Sequence, residues 1–216
     1  MANATVIAGW TQNSNDNVLA GDGFGFVPAD FPQAADFGSG SHSIADFDGT
    51  TDGNGLYTKV DSFSGTTNND LQAAGAGGSF SFIGDSSNGA KSVFTVSTAG
   101  YTDINISWSQ RGTATGFNSR VFEYSTNGGA NWINVGAYAG SAGALSATFA
   151  TVSIDLSAIT ALDNNAASMF RITYSGATNA SGNNRWDNFY VQGVVPEPAT
   201  LALLALGGLF AVRRGR

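Results

Sequence analysis

Apolar and β-branched residues come in short runs along this chain, with Gly, Asn and Asp between them. Such runs stand at 5–10, 24–27, 56–60 and 79–83. The clearest pattern lies at 101–109, where Ile104, Ile106 and Trp108 alternate with Asp103, Asn105, Ser107 and Ser109. Successive strand side chains point to opposite faces, so this period of two predicts a half-buried strand. Residues 91–97 follow Asn88-Gly89, a turn pair. Residues 120–125 and 132–135 flank Thr126-Asn127-Gly128-Gly129, which predicts a hairpin. Val152, Ile154 and Leu156 share one face of 149–156. Phe170, Ile172 and Tyr174 alternate with Arg171 and Thr173, and 186–191 forms the last expected strand.

Roughly ten short strands with turns every 8–15 residues or so predict an all-β fold, an antiparallel β-sandwich, with a jelly roll as the specific architecture. Residues 11–55 are polar and Gly-rich, which predicts long loops around one or two strands. Residues 157–162 are the one stretch before the tail with a helical pattern, about one and a half turns. No internal repeat is visible, which disfavours a solenoid or propeller. The chain divides into a β-sandwich domain over 1–194, with long N-terminal loops, and a tail over 195–216 that carries a short hydrophobic helix.

Composition narrows the chemistry. Among 216 residues, 42% are hydrophobic, enough for a core, and only 12% are charged. The net charge is −7. Six of the nine bases and 15 of the 16 acids precede Pro196, so the domain alone stands at −9. Neutralising phosphates needs a basic face, so nucleic acid is excluded as a partner. With no Cys and one His, thiol nucleophiles, disulfides and most zinc sites are excluded. The amino terminus has neither the basic start nor the apolar run of a secretory signal, its first base being Lys59. A trimmed signal, a misplaced start and an internal protein all remain open, although Ala2-Asn3-Ala4 has the form of a cleavage remnant.

The tail is more specific. Pro196-Glu197-Pro198 cannot continue a helix back into the domain and predicts an extended, accessible strip. Residues 199–212 carry no charge, and Arg213-Arg214-Gly215-Arg216 ends the chain. As a helix those 14 residues would reach about 21 Å, short of a hydrocarbon core of about 30 Å. Five Leu, one Phe and one Val contribute roughly −2 to −4 kcal/mol towards insertion, a marginal sum that suits a temporary anchor. Arg213, Arg214 and Arg216 would stay cytoplasmic and leave the domain outside.

This tail resembles the PEP-CTERM sorting signal of Gram-negative bacteria, over Val195 to Arg216. The resemblance implies recognition by an exosortase, a membrane-embedded cysteine peptidase cutting near Pro196 to Pro198. It further implies export, a transient inner-membrane stage, then a cell-surface or extracellular destination with exopolysaccharide and biofilm components.

Within the domain, catalytic chemistry is poorly supplied. His42, in Ser41-His42-Ser43, is expected in a flexible loop, and Glu123 has no second Glu beside it in the domain. Gly75-Ala76-Gly77-Gly78 lacks the Lys and helix of a phosphate loop. A non-enzymatic protein is therefore expected. Asp46, Asp48 and Asp52 lie among Gly turns at 46–55 and could offer oxygens to a structural Ca²⁺. Alternatively each carboxylate caps its own turn. Ser125-Thr126-Asn127-Gly128-Gly129-Ala130-Asn131-Trp132 looks like an Asp-box hairpin with Asn127 in place of Asp and Asn131 in place of Thr, which implies a structural turn with Trp132 packed. Arg185-Trp186-Asp187-Asn188-Phe189-Tyr190-Val191 is similar to the closing strand of extracellular jelly-roll modules. That likeness makes Asp187 the first single candidate for a Ca²⁺ ligand, against a buried Asp that simply accepts backbone hydrogen bonds.

Two functional classes follow: a non-catalytic surface or matrix protein, or a carbohydrate-binding module for extracellular polysaccharide. Exposed tryptophans on one face would favour the second, and buried ones the first.

Overall fold

The computed structural model describes residues 4–13 and 25–197. The chain runs through β1 (Ala4–Trp10), β2 (Gln33–Ala34), β3 (Phe37–Gly38), β4 (Ser41–Ala45), β5 (Val60–Ser64), β6 (Gly78–Ile83) and β7 (Lys91–Thr95). It continues through β8 (Thr102–Gly112), β9 (Ser119–Ser125), β10 (Ile133–Asn134), β11 (Ala150–Asp155), β12 (Met169–Ser175) and β13 (Asn183–Val194). All strand pairings among the described residues are antiparallel, in two sheets that form a jelly-roll-like sandwich. One sheet runs β11-β8-β13-β1-β3, with β5 and β6 joined to β13 through β6; the other runs β10-β9-β12-β7-β4-β2.

The expected sandwich is thus present, with shifts in its parts. Val60–Ser64 is the strand where 56–60 was expected, and 25–27 contributes only a single bridge, Gly25 to Asp61. The helical pattern at 157–162 yields a single 3₁₀ turn, Thr160–Leu162. The apolar helix expected over 199–212 lies outside the described residues. No helix among the described residues is long and apolar enough to cross a membrane.

The core is aromatic. Phe94 and Phe189 stack across the two sheets with ring centroids 3.7 Å apart, and Trp10, Trp108 and Trp186 each lie within 6.2 Å of Phe189. Ile104, Ile106 and Trp108 are buried, as their alternation predicts. Ser107 and Ser109, on the opposite face of β8, are buried too. Residues 65–77, the connection between β5 and β6, cover that face: the Ser109 hydroxyl donates to Asn68 O at 2.9 Å, and Asn69 Nδ2 donates to Ser107 Oγ at 3.1 Å. From Ser107 to Ser109 a strand that reads as half-exposed is therefore buried on both faces by a loop distant in sequence, while Asp103 stays exposed.

Candidate functional site

Asp187 sits where β13 changes partners. β6 pairs with β13 up to Trp186, and β1 takes over from Phe189. The register against β8 shifts between Asp187 and Tyr190, and Asn188 adopts a left-handed backbone at φ 52°. Asp187 is fully buried beneath the 65–77 connection. Its Oδ2 accepts the Thr66 N–H and its Oδ1 the Asn188 N–H, both at 2.7 Å. Asn188 Nδ2 donates to the carbonyls of Thr66 and Asn68 at 2.7 and 2.9 Å, so the loop is pinned from both residues.

Oxygen atoms crowd this place. A Cβ added to Gly65 would lie 2.5 Å from Asp187 Oδ2 and closer still to the carbonyl oxygens of Ala76 and Gly78. One added to Gly78 would meet Ser62 Oγ at 2.7 Å and Gln12 O at 2.8 Å. Nearby, Ser62 Oγ, Asn13 Oδ1 and Asn188 Oδ1 are buried without a hydrogen-bond partner. Burial pushes the Asp187 pKa up to about 8 against the two N–H donors, and the negative charges of Asp70 and Asp36 add to the rise.

The other acidic candidates are used singly. Asp46, at φ 54°, pairs with Lys91. Asp48 Oδ1 accepts the Thr50 N–H at 3.1 Å and its hydroxyl at 2.6 Å, and Asp52 Oδ1 accepts the N–H groups of Asn54 and Leu56 at 2.8 and 3.0 Å. These are turn-closing bonds of the kind Asp makes to its own backbone. Among the described residues no three His, Cys, Asp or Glu side chains form a group fit for a metal ion, so Asp46, Asp48 and Asp52 are not brought together as one ligand set.

His42 departs from the sequence reading. It is not in a flexible loop but in β4, fully buried among Phe94 (4.8 Å), Trp186 (5.0 Å), Phe80 (5.1 Å) and Phe31 (5.6 Å). Ser41 and Ser43 flank it on the other face, a period of two that the Gly- and Ser-rich surroundings conceal. Its Nδ1 lies 3.0 Å from Gln33 Oε1, which can only accept, so Nδ1 carries the proton and Nε2 is left unpartnered. Burial lowers its pKa to about 3, and it stays neutral. Glu123 is bound to Arg171, Oε2 to Nε at 2.6 Å, and that guanidinium lies 4.1 Å over the Trp132 ring. The hairpin beneath is closed by Ser125 and Asn127, which accept the N–H groups of Gly129 and Asn131 at 2.9 Å. Trp10, Trp108 and Trp186 are buried, so Trp132 is the only tryptophan with substantial exposure.

β13 lies between β1 and β8, and its last residue, Val194, pairs with Ala4 on one side and Thr102 on the other. The chain then leaves the fold at once: Val195 is 52% exposed, and Pro196 and Glu197 are exposed. Pro198, Arg213, Arg214 and Arg216 lie outside the described residues. Residues 194–216 match the PEP-CTERM protein-sorting motif. The match begins at the last residue of β13, so the PEP-CTERM tail hangs directly from a central strand with no intervening linker.

No curated protein matches the sequence. Among solved structures, the chain is similar to TmCBM61 in complex with β-1,4-galactotriose, at 10% identity and a TM-score of 0.37, covering 69% of this chain and 86% of that one. It is similar to the K2 cleaved adhesin domain of Lys-gingipain, at 13% identity and a TM-score of 0.42, covering 87% and 99%. It is also similar to an arabinose-bound α-L-arabinofuranosidase, at 14% identity and a TM-score of 0.40, covering 86% of this chain but 26% of that one. Likeness at this level has no bearing on what this chain binds.

Proposed function

We propose that this chain is an exported, non-catalytic surface or matrix protein, delivered by its PEP-CTERM tail to an exosortase in the inner membrane. After cleavage it is released or transferred to the cell surface. The observation that carries this reading is the sorting motif beginning at Val194, with its Pro196-Glu197 strip exposed where β13 ends. The non-catalytic part rests on how the reactive side chains are used. His42 is enclosed by rings, and Glu123 is tied to Arg171. Three of four tryptophans serve the core, which favours a structural role over a tryptophan-lined polysaccharide platform. The test is the intact mass of the protein recovered from the surface fraction of an exosortase-bearing host. The expected product ends near Pro196 to Pro198; surface protein still ending at Arg216 overturns the reading.

A structural Ca²⁺ is part of the proposal. The cluster around Asp187 fits a hard cation, being made of a carboxylate, main-chain carbonyls and orphaned side-chain oxygens. Asp187, the carbonyls of Ala76 and Gly78, and Ser62 would hold it, and it would tie the 65–77 connection to β13. With Asp187 as its one carboxylate, affinity in the range of extracellular modules, Kd of about 10⁻⁴–10⁻³ M, is expected. At 10 mM CaCl₂ and a Kd of 1 mM, the added stability is about 1.4 kcal/mol, or roughly 3–6 °C in melting temperature. Asp187→Asn should abolish that response. Identical melting of the parent protein in calcium and in chelator removes the claim.

A further inference from the structure

Among the described residues, the sandwich is open at the end from which the tail leaves. Between β3 and β4 the chain crosses from one sheet to the other as Gly38-Ser39-Gly40-Ser41, four small residues that leave the mouth unfilled. The crossing is tight: a Cβ on Gly40 would come within 3.0 Å of both Thr95 O and the Trp10 ring. The register of β1 against β13 shifts between Val6 and Ala8 at the same level. The result is a pocket of about 600 Å³, within the range of small-molecule sites.

Its lining combines two chemistries. Val6, Ile7 and Tyr101 are its apolar and aromatic lining residues, and Ser39, Ser41, Thr95 and Ser97 are its hydroxyl-bearing ones. Among the described residues, no charged side chain lines it. A ligand that satisfies both parts carries an apolar face and several hydroxyl groups of its own. It is also uncharged, because no described residue of the pocket neutralises a charge and the −9 domain repels anions. A pyranose has this character, with C–H bonds on one face to lie against an aromatic ring and equatorial hydroxyls at its rim.

We propose that this pocket binds a neutral saccharide unit, with Tyr101 as the ring against which the sugar packs and the Ser39, Ser41, Thr95 and Ser97 hydroxyls as its hydrogen-bond partners. This inference does not depend on tail processing, which would be unaffected by its failure. It supplies the protein with a ligand site away from the tryptophans.

The experiment is saturation-transfer NMR on the full chain in a zwitterionic, sugar-free detergent. The probes are glucose, galactose and N-acetylglucosamine with their β-1,4-linked dimers, glucuronate as the charged comparator and 1,6-hexanediol as the apolar one. The expected result is transfer to ring protons of at least one neutral sugar, stronger than to glucuronate or hexanediol. Tyr101→Ala should weaken it at least tenfold. Ala166→Trp, at an exposed position on the pocket wall, should block it while leaving the melting curve unchanged. Absence of transfer from every sugar, equal binding by the Ala166 variant, or a preference for hexanediol or glucuronate would each overturn the assignment.

Discussion

Two buried polar groups, His42 and Asp187, sit in the same sandwich and meet burial in opposite ways. Desolvation lowers the basicity of the imidazole and raises that of the carboxylate, so each is driven towards its neutral form. Their surroundings differ. Around His42 the neighbours are rings, with one hydrogen bond to Gln33, and nothing there rewards a charge. Around Asp187 the neighbours are two N–H donors and a set of oxygens, several of them without partners. Burial alone therefore does not distinguish the two residues; the chemistry of the surrounding shell does.

The most forceful way to break this contrast is to remove the ring shared by the two sheets. Phe94 stacks on Phe189 and on His42. Phe94→Ala should cost about 3–5 kcal/mol, read from urea denaturation, because a buried ring is replaced by a cavity. A loss below 1 kcal/mol would show that the aromatic box is not what holds the sheets together.

Acid sharpens the contrast next. The folded-state pKa of His42, about 3, lies below its unfolded value of 6.5. Its contribution to stability is thus fully present above pH 6.5 and is lost as pH falls towards 3, at up to about 1.4 kcal/mol per pH unit. His42→Phe keeps the ring and removes the titration. Its acid-unfolding midpoint, followed by far-UV circular dichroism, should move to lower pH; an unchanged midpoint would mean that protonation of His42 does not drive acid unfolding. Asp187 has the opposite sign. Its raised pKa favours the fold at low pH and withdraws that support as pH rises through about 8, so the calcium response should grow over the same interval.

The smallest effect is expected outside both regions. Trp132 is half-buried on the outer face, held by the Arg171 guanidinium. Trp132→Ala should cost about 0.5–1 kcal/mol in the same denaturation assay. A loss as large as that of Phe94→Ala would place Trp132 in the core network, against its exposure.

How legible these regions were follows from the range of their contacts. The inner face of β8 could be read from Ile104, Ile106 and Trp108, because alternation is a local property. Burial of Ser107 and Ser109 on the outer face could not, since it depends on a loop some forty residues earlier. Asp187 stood out through the motif around it, but Thr66 is 121 residues away and nothing local announces that pairing. His42 was hidden differently: its strand is short, and small polar neighbours mask a period of two. The sorting motif was legible because its chemistry, Pro-Glu-Pro followed by apolar residues and arginines, is written in consecutive positions.

One consequence of the tail's attachment concerns force. A protein held to a cell surface by its carboxyl end is loaded through Val194, and that residue is not on a sheet edge. A pull applied there runs along the axis of β13, with β1 on one flank and β8 on the other. The ladder bonds on both flanks then carry the load side by side, in shear. An edge strand such as β3, with its two paired residues, would instead be peeled away bond by bond. The strand that carries the sorting motif is thus one that a pull would shear rather than peel, a geometry suited to drag or to tension from a surrounding matrix.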